Sequence, residues 1–155
     1  MPTVSETPVK PFTKPEFNTP VDLLEKAAEL KGIKLPQPLP RLNLSPLVGT
    51  WSNADHATRD LVRLIISASG PIVCLNAFGA CTPTPCDWGL VPANVFADSV
   101  LSGPTVAFTG QYKFSFKETL IVGRIEFGAL FVETFNHFTD GSGRADYNTV
   151  SVFSK

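Results

Sequence analysis

The sequence predicts an all-β fold: an up-and-down antiparallel barrel of about eight strands over residues 46–155, preceded over residues 1–45 by a proline-rich arm with one short helix. Three observations carry this reading. Nine of the 14 prolines fall between Pro2 and Pro46, a density that blocks helix continuation and ladder hydrogen bonding alike. After Pro46 the texture changes to short alternating or apolar runs bounded by turn residues. The links between those runs are short, which favours antiparallel neighbours.

Within the arm, one segment has the marks of a helix. Thr19 can cap, Pro20 suits the first helical position and Asp22 favours the positive end of the helix dipole. Val21, Leu24 and Ala28 recur at helical spacing and Gly32 supplies a stop, so the helix spans residues 20–31. A helix of about three turns is marginal alone in water and needs a surface to lie on. That surface is either its own barrel or a neighbouring subunit.

Eight runs follow: Val48–Asn53, Leu61–Ala68, Ile72–Phe78, Trp88–Phe96, Thr105–Phe116, Thr119–Phe127, Ala129–Thr139 and Tyr147–Phe153. Ser69-Gly70-Pro71 separates the second from the third, and Ser102-Gly103-Pro104 opens the fifth. Phe127-Gly128-Ala129 makes a tight hairpin, and Asp140-Gly141-Ser142-Gly143 another, pinned by an Asp140–Arg144 contact. The fifth run alternates most clearly: Val106, Phe108, Tyr112, Phe114 and Phe116 share one face, with Gly110 in the same row as a place to bend. In contrast, the sixth and seventh runs are apolar on both faces. Leu120 and Val122 oppose Ile121 and Ile125, and Phe131 and Phe135 oppose Leu130 and Val132. A solvent-washed wall is not built that way, so association into a homo-oligomer is expected.

Composition bounds the rest. At 155 residues, 43% hydrophobic and 17% charged, the chain holds one ordinary domain, and its 12 Phe promise large packing units. A net charge of −1 and a pI near 6.1 leave no basic field for a phosphate backbone, which argues against a nucleic-acid partner. No run approaches the ~20 apolar residues needed to span a bilayer. The N-terminus lacks a basic start followed by an apolar run, so a cytoplasmic location is expected.

The opening of the barrel, Leu47-Val48-Gly49-Thr50-Trp51-Ser52-Asn53, resembles the first strand of avidins and, more loosely, of lipocalins. The resemblance implies an eight-stranded up-and-down barrel with Trp51 plugging its closed end. Asn53 stands near the position that avidins use for their ligand. The later tryptophan pattern of avidins is absent, so no biotin-binding residue is carried over. Two further stretches, Ala77–Gly89 and Phe138–Arg144, have the look of family signatures with no activity attached.

Cys81 and Cys86 flank Thr-Pro-Thr-Pro and can bond to each other. Only Cys74, His56 and His137 remain as further soft ligands, which falls short of a zinc site, and no metal is expected. Neither a phosphate-cradling loop nor a dinucleotide fingerprint occurs, so no cofactor is expected. The expected function is a non-catalytic barrel that binds or self-assembles, the arm docking on its own or a neighbouring barrel. A small apolar or amphipathic ligand would meet Asn53, Asn76, Tyr112 and Asn136 at the open end. The competing expectation is an interior filled by the protein's own Phe side chains. The alternative function is an isomerase- or cyclase-type barrel enzyme, with Glu133 and His137, of equal strand parity, sharing acid–base work.

Overall fold

The computed structural model describes residues 41–155. The helix expected over residues 20–31 lies outside them, as does most of the arm. Eight strands follow in order: β1 (Gly49–Asn53), β2 (Leu61–Ser69), β3 (Ile72–Gly79), β4 (Cys86–Ala97), β5 (Thr105–Lys113), β6 (Lys117–Glu126), β7 (Ala129–Phe138) and β8 (Tyr147–Ser154). Each pairs antiparallel with its sequence neighbours, and β1 closes on β8 through Ser52↔Ser154 and Asn53↔Phe153. The result is a closed barrel in meander order, which leaves no sheet edge unpaired.

Local chemistry sets the turns. Register pairs Glu126 with Ala129, so the β6–β7 hairpin has a two-residue loop. Phe127 and Gly128 both take positive φ, 52° and 76°, matching the strand twist as type I′ turns do. Phe127 is fully exposed there. The fifth run ends at Lys113 and not at Phe116, because the Phe114 N–H donates to Lys117 O (2.8 Å) and turns the chain into β6. The fourth begins two residues before Trp88, at Cys86.

One end of the barrel is plugged. Ahead of β1, Asn43 bridges Pro104 in parallel, donates from its N–H to Gly103 O (2.6 Å) and accepts from the Thr105 N–H (3.0 Å). This stitching seats Leu47, fully buried, beneath Trp51, whose Nε1–H donates to Leu47 O at 2.8 Å. Lys155 Nζ lies 4.9 Å from the Trp51 ring centroid. Trp51, in the Gly-x-Trp opening, is thus buried and hydrogen-bonded at this end of the barrel.

The interior is packed, and mostly by aliphatic residues. Leu64, Ile66, Leu75, Ile121 and Leu130 are at most 1% exposed. Only Phe108 and Phe153 among the described phenylalanines are fully buried, whereas Phe96, Phe116, Phe127, Phe131 and Phe135 are exposed. The expectation of a Phe-filled core is therefore corrected. An alternating strand has two faces, and the barrel's shear put most Phe on the outer face or beyond the strand ends. Glycines make room for what is inside. A Cβ on Gly110 would lie 2.7 Å from Leu75 Cδ2, which reaches from β3 past the intervening β4.

Candidate functional site

The end opposite Trp51 is built differently. It gathers the 54–60 and 80–85 loops, the 114–116 turn and the 139–146 loop. Both unassigned stretches, Ala77–Gly89 and Phe138–Arg144, thus arrive at the same place. A disulfide joins Cys81 to Cys86, with Cα atoms 5.4 Å apart, and Cys74 is free. Iodoacetamide is expected to add one alkyl group to the unreduced, unfolded chain and three after reduction, read by intact mass. Two or more without reductant would exclude the bond.

Inside this end the wall is polar. Strand parity that is apolar deeper in the barrel delivers Thr119 from β6, Thr134 and Asn136 from β7 and Thr149 from β8; the first three are buried. The hydrogen bonds run head to tail. Lys117 Nζ donates to Asn136 Oδ1 at 3.3 Å, and the Asn136 Nδ2–H donates to Thr134 Oγ1 at 3.3 Å. Thr149 spends its single proton on Asp60 Oδ2, so Thr134 must donate to Thr149. Thr119 Oγ1 adds a second donor to Asn136 Oδ1 at 2.8 Å. An ammonium and a carboxylate are thereby joined through three neutral side chains, with every link satisfied in one direction.

Aromatic rings cover this polar layer. Tyr112, Phe114 and Phe116 continue the β5 face as a stacked column, with centroid spacings of 5.9 and 5.8 Å. Trp88 meets Tyr112 and Phe114 edge-on at 5.4 and 5.2 Å. Trp88 can lie there because Gly79 has no Cβ, which would stand 2.9 Å from the indole Nε1. Lys117 Nζ sits 5.0, 5.7 and 5.9 Å from the Trp88, Phe114 and Phe116 centroids. Burial under these rings pushes its ammonium pKa down; Asp60 opposes that shift and Arg144 adds to it. On the other side of Phe116, Arg144 stacks on Phe138 at 4.1 Å and binds Asp140 Oδ2 at 2.7 Å. Asp140 is held down to about 2, first by its side-chain and backbone hydrogen bonds to Ser142 and then by Arg144.

The sequence-derived candidates scatter. Asn136 stands in the polar layer. Asn53 is buried but fully engaged, donating from Nδ2 to Leu61 O (2.8 Å) and accepting the Asp55 N–H (2.9 Å), so it staples the β1–β2 loop. Tyr112 points inward, yet its hydroxyl is used up in the wall: it accepts the Ala77 N–H (2.9 Å) and donates to Gly89 O (2.9 Å). Asn76 shares β3 with inward-facing Leu75 and Ala77 but has the opposite parity, so it faces outward. Glu133 and His137 also face outward, alternating with buried Val132, Thr134 and Asn136. His137 Nδ1 bonds Asp146 Oδ2 at 2.7 Å, which pushes the imidazole pKa up, while Glu133 Oε1 accepts from Asn148 Nδ2 at 3.0 Å. The acid–base pair expected in the barrel mouth is therefore not there, because parity sends both side chains through the wall.

Lys117, Asp60, Thr119, Thr134 and Thr149 were missed from sequence, and Arg144 was expected only as the partner of Asp140, a contact the structure shows. One signal existed. Thr119, Thr134 and Asn136 occupy the inward parity of otherwise apolar strands, which marks a polar end to the interior. Among the described residues, no group of three His, Cys, Asp or Glu side chains is close enough to hold a metal ion, and no helix is long and apolar enough to cross a membrane. Comparison with protein-family models, curated proteins and solved structures returns no match.

Proposed function

We propose that this protein is a non-catalytic binding barrel that meets a small amphipathic ligand at its aromatic end. The observation that carries the reading is Lys117. Its ammonium is drawn under three rings, yet among the described residues it makes one hydrogen bond, to Asn136. Two N–H donors are left over in a site where partial desolvation strengthens any charge-assisted bond. The exposed rings of Phe116 and Tyr147, beside Phe138, offer apolar faces next to that charge. A planar body carrying one carboxylate matches both: the acid takes Lys117 and the body lies on the rim.

The packed interior below Thr119 speaks for a ligand held at the rim and against one swallowed whole. Trp88 reports on binding, since Trp51, at 2% exposure in the far end, gives a constant background. Titrating a series of aromatic and aliphatic monocarboxylates is expected to change Trp88 emission saturably. Lys117→Met, which keeps the stem among the rings, should weaken the best of them by about tenfold, as losing one such ion pair implies. Saturation that is equal in Lys117→Met and the native chain, or no saturation with any acid, overturns this reading.

A further inference from the structure

The outer wall of β6, β7 and β8 is the other unusual surface. Leu120 and Phe135 are cross-strand partners, as are Phe131 and Val152, and Val150 pairs with Glu133. These five apolar side chains are 37–66% exposed on three adjacent strands. At their centre is a hollow of about 240 Å³ lined by Val122, Arg124, Phe131, Val132, Glu133 and Val150. Apolar surface of this continuity is what association interfaces bury.

The charges in the hollow say what kind of partner fits. Val122 stands opposite Glu133 and Arg124 opposite Phe131, so the four residues form a rectangle with Arg124 and Glu133 on one diagonal. We infer that the face docks on the same face of a second copy of this chain. A two-fold axis lying in the interface close to the Val122–Phe131 diagonal places Arg124 of each copy over Glu133 of the other. It also brings Phe131 against its own mate. The contact is isologous, so one surface supplies both halves of each ion pair. Among the described residues neither charge is locked away beforehand: Arg124 holds Glu126 through an exposed pair, and Glu133 holds only the neutral Asn148. An unrelated apolar partner would leave both charges unanswered under the interface, which disfavours it.

The test is sedimentation of the full chain over a concentration series reaching on the order of 100 μM. The native chain is expected to form a dimer. Arg124→Glu and Glu133→Arg each place like charges over one another twice, and each should weaken dimerisation by about a hundredfold. The double variant Arg124→Glu/Glu133→Arg restores opposite charges across the axis and should recover most of the loss. Circular dichroism and thermal melting of all three keep a folding defect distinct from a docking defect. A native chain that stays monomeric throughout overturns the inference, as when residues 1–40 of the same chain take this face. Single variants that dimerise like the native chain overturn it too, by moving the contact elsewhere. A double variant no better than the singles overturns the cross-pairing. None of these outcomes depends on Lys117, so the ligand reading stands or falls separately.

Discussion

Gly123→Ala is expected to destabilise the barrel by about 2–3 kcal/mol, the upper range for forcing volume into a closed core. Gly123 on β6 stands directly opposite Phe108 on β5, and the Phe108 ring lies over the glycine Cα. A Cβ there would be 2.7 Å from Phe108 Cζ and closer still to Cε1. The ring has no retreat, because Phe108 is fully buried and the barrel is closed around it. Urea unfolding of Gly123→Ala, Phe108→Leu and the double variant gives the coupling. Each single change destabilises, one by overpacking and the other by a lost ring, and together they should cost less than their sum by more than ~1 kcal/mol. Additive effects would mean that the two side chains do not share the space.

Tyr112→Phe should cost about 1–3 kcal/mol although it removes a single oxygen atom. The β3–β4 register slips between Asn76 and Phe78, where Gly89 adopts φ +86°. The slip separates the Ala77 N–H from the Gly89 carbonyl, and the phenol bridges them, accepting from one and donating to the other. Phenylalanine fills the same volume but leaves a buried donor and acceptor unpaired. Burial, the largest influence, pushes the phenol pKa up to about 12, with the Ala77 N–H opposing and Asp87 adding to the shift. In the unfolded chain the phenol ionises near the usual ~10. The folded state therefore keeps a proton that the unfolded state loses first. Stability from this group is full below about pH 10 and drains away as pH rises towards 12. Alkaline unfolding that starts above pH 10 in the native chain and is flatter in Tyr112→Phe is the expected measurement. Identical pH profiles would remove the phenol from this role.

Much of the candidate site was written in the chain without being readable there. The Tyr112–Phe114–Phe116 row was visible as one face of an alternating run, and the Cys81–Cys86 pair as a loop closure. Lys117 falls in sequence on the polar side of the same alternation, with nothing there to single it out. Its importance comes from Trp88, which reaches it from another strand, and from Asn136, 19 residues further on. The glutamate–histidine pair failed for the opposite reason. Period-two alternation correctly put Glu133 and His137 on one face, but alternation by itself does not say which face of a two-sided apolar strand is the inside.

What the sequence determined alone was the local part: about eight strands and the turns between them, the tight hairpin at Phe127-Gly128-Ala129 included. These follow from backbone sterics and side-chain period, which act over a few residues. Tertiary structure decided which wall each Phe occupies, which end is closed, and that Asp60 should meet Thr149 across 89 residues. Those outcomes depend on the registers accumulated around a closed ring of eight strands. A slip of one residue anywhere would turn a whole strand inside out, so no single segment holds the answer.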